Sequence, residues 1–156
     1  MKKNALIMVS IISTAIWGTA VVSADMHVVS GSGKQTSMEH PVPAGTFKHS
    51  GVVDGIRAEF QVMSLSGMNM TDAKGATHHI MVTFIDDDTG RRIRDLVGKV
   101  KVIGPDKEEQ IAGLKNYSGM FAANFTFEQR GKYGVICLVK TQAEKHVFKF
   151  WYPHDV

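Results

Sequence analysis

Between Gln61 and Val82 the chain carries four thioethers and two adjacent imidazoles: Met63, Met68, Met70, His78, His79 and Met81. Thioethers are soft, uncharged ligands that select Cu(I), and imidazole accepts either copper oxidation state as well as zinc. Met68 and Met70 stand in the loop SGMNMT beside Gly67, Asn69 and Thr71, where no hydrophobic period claims them for a core. Met63 and Met81 are open to packing or to ligation, since methionine is also a common core filler. Strand alternation in THHIMVTFI groups His78 with Ile80 and Val82 and turns His79 and Met81 together to the other face. The fixed spacing of a Cys-x-x-Cys zinc motif is missing, so residue type and shared face carry the metal reading.

No catalytic set accompanies these ligands. The sequence has no Gly-x-Ser-x-Gly elbow, no His-Glu-x-x-His pair and no phosphate-cradling glycine loop, and it is not expected to be an enzyme. The run Asp86-Asp87-Asp88 lacks the spaced oxygens and terminal glutamate of a calcium loop and reads as a solvated turn. His40 and His49 read as solvated, His146 as a polar strand-end residue, and His154 as part of an exposed C-terminus.

The N-terminus bears on where such chemistry would take place. Lys2 and Lys3 precede an apolar stretch from Ala5 to Val22, and Val22-Ser23-Ala24 offers small residues for cleavage, the build of a secretory signal peptide over residues 1–24. Ser10, Ser13, Thr14, Gly18 and Thr19 dilute the stretch as a bilayer span, so no membrane span is expected after cleavage. Loss of two lysines lowers the formal charge from +3 to +1, and no basic stripe with interleaved aromatics suggests nucleic acid. With Cys137 as the single cysteine, an exported chain can form no internal disulfide and must rely on its core. Its setting, KYGVICLVK, makes Cys137 a buried small hydrophobe. Cleavage after Ala24 would also expose Asp25-Met26-His27, whose amine, two backbone amides and His27 imidazole supply four nitrogens for square-planar Cu(II).

Residues 25–45 mix Ser, Gly, Pro and single charges without a hydrophobic period and read as a flexible leader. Residues 46–156 then show short segments of period two. Ile56, Ala58, Phe60 and Val62 alternate with Arg57, Glu59 and Gln61, and Asp54-Gly55 joins that segment to FKHSGVV as a hairpin. THHIMVTFI, KVKVI, MFAANFTFEQ, YGVICLVK and HVFKFWY follow, separated by turns. The reading is an all-β, immunoglobulin-like antiparallel β-sandwich of seven to eight strands.

Particular residues carry a family likeness over about residues 77–152. Asp86, Thr89 and Gly90 end one strand; Val100 and Val102 lead to a turn at Pro105; Gly119 and Phe121, then Gly131 and Tyr133, open two further strands. This pattern resembles YtkA-like and related copper-handling immunoglobulin-like domains of the bacterial envelope. The resemblance implies a β-sandwich that binds copper through an N-terminal histidine and through Met/His loops. Here His27 would be third in the mature chain rather than first, a departure from the family's N-terminal site. The expected function is a periplasmic metal-binding module, a copper carrier or copper-resistance accessory. The alternative is an immunoglobulin-like interaction module that binds no metal and contacts an envelope protein partner through its methionine loop and the aromatic strand HVFKFWY.

Overall fold

Asp54 and Gly55 both take positive φ, at 49° and 74°, as the central pair of a two-residue hairpin turn that matches strand twist. They join β1 (Phe47–Val53) to β2 (Ile56–Ser64) in a computed structural model that describes residues 44–155. The expected signal peptide, nearly all of the leader, and with them His27 and His40 lie outside the described residues. Ala44 and Gly45 form a turn immediately before β1.

The remaining strands are β3 (His78–Asp86), β4 (Val97–Ile103), β5 (Glu109–Gly113), β6 (Lys115–Tyr117), β7 (Met120–Phe125), β8 (Gly131–Lys140) and β9 (Lys145–His154). They form two antiparallel sheets, ordered β1-β2-β3-β7-β6 and β5-β4-β8-β9. With β1 set aside, these orders reproduce the ABED and C′CFG arrangement of an immunoglobulin-like sandwich. Tyr133 strengthens the assignment. It stands near the start of β8, and its hydroxyl donates to the Gln129 carbonyl and accepts from the Gln129 amide, both at 3.1 Å, as a tyrosine corner does.

Among the described residues nine strands form instead of the seven to eight expected. The additional ones are β5 and β6, which lie toward the sheet edges and are largely exposed, so EQIAG and KNY carry no clear alternation. The other long strands largely keep their parity. Ile56, Ala58, Phe60 and Val62 of β2 face Ile80, Val82 and Phe84 of β3 and the buried Val135, Cys137 and Val139 of β8 in one core. Burial raises the Cys137 thiol to about 12, as befits an inert core residue. On β9, His146, Phe148, Phe150, Tyr152 and His154 are all buried and the residues between them exposed. His154 therefore continues the inward face of the last strand, which corrects its expected exposure at the C-terminus. His146 is also inward, with Nδ1 3.2 Å from the Asp54 carboxylate, so it ties the first hairpin to β9. His49 is half-buried and stacked on Phe150, with ring centroids 4.6 Å apart, rather than solvated.

Among the described residues, no helix is long and apolar enough to cross a membrane. The only helical piece among them is a 3-10 turn at Ser66–Met68 in the β2–β3 loop.

Candidate metal centre

The neck of the β2–β3 loop is closed by the Leu65 amide donating to the Thr77 carbonyl at 2.8 Å, with the Leu65 side chain buried. Asn69 takes a left-handed conformation and ends the short turn, and the Met70 amide returns to the Leu65 carbonyl at 2.9 Å. Met68 is thereby half-buried and Met70 exposed, both at the end of the sheet where β2 leaves and β3 begins. The Asp72 carboxylate organises the second half of the loop, accepting from the Lys74 amide at 2.8 Å.

Strand register settles which candidate ligands share a face. Met63 of β2 pairs with His79 of β3, and His79 pairs with Asn124 of β7; in the next row but one, Gln61, Met81 and Ala122 align. Met63, His79 and Met81 thus occupy neighbouring positions on the outer face of the five-stranded sheet. Opposed Cβ atoms lie about 5 Å apart and diagonal ones about 7–8 Å, a span that long methionine side chains bridge. Met63 is 5 % exposed although its strand parity points away from the core.

The tautomer of His79 follows from its neighbours. The Asp72 carboxylate is held below the usual carboxylate range, first by its hydrogen bond from Asn124 and next by the Lys74 amide. A carboxylate only accepts, so Asn124 must turn its NH2 group to Asp72, where Nδ2 donates to Oδ2 at 2.8 Å. Asn124 Oδ1 then faces His79 Nδ1 at 2.6 Å, and Nδ1–H must be the donor. Neutral His79 consequently carries its free lone pair on Nε2. Orientation of one imidazole nitrogen by an acceptor, with the other left to bind, is the usual support of a metal-ligating histidine. His79, Asp72 and Asn124 also line a cleft of about 480 Å³ bounded by β5, β6 and β7.

His78 points the other way, into the sandwich. Its ring meets His154 from the opposite sheet, centroids 4.9 Å apart and planes at 89°, among Phe127, Tyr133 and Tyr152. Burial, with a smaller contribution from His154, lowers the His78 pKa to about 4. His154 is also shifted down by burial, opposed by a hydrogen bond to the Phe127 backbone. His154 Nε2 is buried with no partner among the described residues. Leaving such a nitrogen unsatisfied costs about 1–3 kcal/mol.

The sequence-derived set therefore divides. Met63, His79 and Met81 come together on one face, Met68 and Met70 stand in the adjoining loop, and His78 is separated from them by the sheet. Asp72, Asn124 and His154 are additional participants that the sequence reading missed. Asn124 has the outward parity of β7, but its place beside His79 depends on strand pairing. Among the described residues, no three His, Cys, Asp or Glu side chains gather as a metal group.

No protein-family model matches the chain, and no curated protein matches it. A solved structure of a DUF4426 family protein from Pseudomonas aeruginosa PAO1 is similar in fold, with a TM-score of 0.54 and 14% identity over 68% of this chain and 96% of that one. That likeness supports the sandwich and does not extend to chemistry.

Proposed function

We propose that this chain is an exported, periplasmic copper-binding module, a carrier or resistance accessory without catalytic turnover. The observation that carries the reading is His79, whose Nδ1–H is committed to Asn124 so that Nε2 is the nitrogen left to bind, on a face shared with Met63 and Met81. One imidazole and two thioethers form a soft, uncharged set suited to Cu(I). Met68 and Met70, in the loop next to that face, supply further thioethers for capture or release of the ion. The amino-terminal nitrogens with His27 form a separate Cu(II) chelate in this reading, provided cleavage follows Ala24.

An anaerobic Cu(I) competition titration of the mature protein tests the proposal. His79→Ala and Met63→Leu/Met81→Leu are each expected to weaken the outer-face affinity at least tenfold while circular dichroism remains that of the parent. Unchanged affinity in both variants would remove the outer-face site. Exposed Ile111 and Tyr117 beside the cleft favour a second reading, an interaction module for an envelope protein. That reading gains if the protein binds no copper and an Ile111→Ser/Tyr117→Ser variant loses a partner that the parent retains.

A further inference from the structure

We infer that the solvent face of the four-stranded sheet is a docking surface for an anionic phospholipid bilayer, to which the chain adheres peripherally. Strand register assembles this face. Alternate residues of β4, β8 and β9 point away from the core and bring together Lys99 and Lys101, Lys132 and Lys140, and Lys145 and Lys149. The residues between them, such as Val100, Val135, Cys137 and Phe148, are buried. No run in the sequence reveals such a surface, because each strand contributes only every second residue.

The charge on this face is left largely uncompensated. Among the described residues, Lys101 is the one member of the six in an ion pair, with Glu109 of β5. Lys140 and Lys145 are directly opposed across β8 and β9, and Lys101 and Lys149 flank Ile136 in one cross-strand row. Like charges placed directly opposite are destabilising, so the lysine face gains from a negative partner that spans its breadth. On the five-stranded sheet, by contrast, the outward Arg57 has Glu59 and Asp87 each 3.6 Å away.

Apolar groups among the lysines select the kind of anion. Trp151 is 67 % exposed, Val97 69 % and Val147 40 %. The Trp151 indole lies over Gly134, where a Cβ would come within 3.4 Å of its ring. Tryptophan favours the headgroup level of a bilayer, and lysine keeps its ammonium among phosphates while its stem rests on apolar material. The four strands of this sheet contain no arginine. Protein interfaces enrich arginine and deplete lysine, and bidentate phosphate recognition calls for the guanidinium fork. Dispersed lysines around an exposed indole therefore fit a layer of anionic headgroups better than an acidic protein or a nucleic acid. Adhesion of this kind needs no spanning segment, and it leaves Met63, His79 and Met81, on the other sheet, directed away from the bilayer.

Vesicle flotation of the mature protein at low ionic strength provides the test, with vesicles of phosphatidylcholine alone or mixed in equal parts with phosphatidylglycerol. Trp151 is the single tryptophan once residues 1–24, which include Trp17, are removed, so its emission reports on this face. The protein is expected to float with the mixed vesicles and not with phosphatidylcholine, to shift its emission to the blue on binding, and to be released as added salt screens the charges. Lys145→Gln/Lys149→Gln should weaken binding to the mixed vesicles at least tenfold. Lys48→Gln/Lys115→Gln, which removes the same charge from exposed positions of the other sheet, should bind as the parent does. Equal affinity in the two double variants, emission unmoved by the mixed vesicles, or equal flotation with phosphatidylcholine alone would overturn the inference. Binding to polyglutamate without binding to either vesicle would also overturn it and assign the face to an acidic protein.

Discussion

Asn124 decides which nitrogen of His79 is available, because its own orientation is dictated by the Asp72 carboxylate. Asn124→Leu keeps comparable bulk and removes both hydrogen bonds, so His79 would lose its fixed tautomer and ring orientation. Loss of such an orienting partner typically weakens metal affinity about 10–100-fold. Competition titration of Asn124→Leu at pH 7 should show a reduction in that range with the β-sheet spectrum retained. At the same scale, His78 gives a signed prediction for the metal-free protein. Its folded pKa is about 4 against an ordinary 6.5, so the unfolded chain binds the extra proton first as pH falls. The stabilisation is fully present above pH 6.5 and is lost progressively between 6.5 and 4, by at most about 3 kcal/mol. Urea midpoints should fall across that window in the parent and more shallowly in His78→Phe. Residue types alone singled out the methionines and His79 as candidate ligands, and alternation separated His78 from His79. Asp72 and Asn124 were not legible, since a relay across 52 residues exists only once β3 and β7 are in register.

Turns and strand ends hold the elements that present these side chains. Gly131 opens β8 with φ at 143°, and a Cβ there would lie 2.8 Å from Pro105 Cγ. Both the backbone conformation and the close ring favour glycine. Gly131→Ala should destabilise the fold by about 1–3 kcal/mol in urea denaturation, through strain at β8 and at the Pro105 turn. A midpoint equal to that of the parent would show that the turn relaxes freely. Period-two segments such as IRAEFQVM and HVFKFWY were readable because each buries one face. EQIAG and KNY were not, because largely exposed strands near a sheet edge need no alternation. His154 was misplaced for a related reason: β9 continues its alternation through Pro153, an exposed position where proline does not interrupt burial on the other face.

At the scale of the whole molecule, the sandwich separates two kinds of environment at the same end of β3. One face carries thioethers and an oriented imidazole beside a polar cleft, and the other encloses two imidazoles among aromatic rings. The core supplies the rigidity without a disulfide, as the buried Cys137 requires. The central claim, that thioethers of the outer face hold copper, is tested most directly by copper K-edge X-ray absorption of the Cu(I)-saturated mature protein beside Met63→Leu/Met81→Leu. The parent is expected to show sulfur and nitrogen neighbours, with the sulfur contribution strongly reduced in the double variant. A parent spectrum without sulfur, or a sulfur contribution undiminished in the variant, would contradict the account.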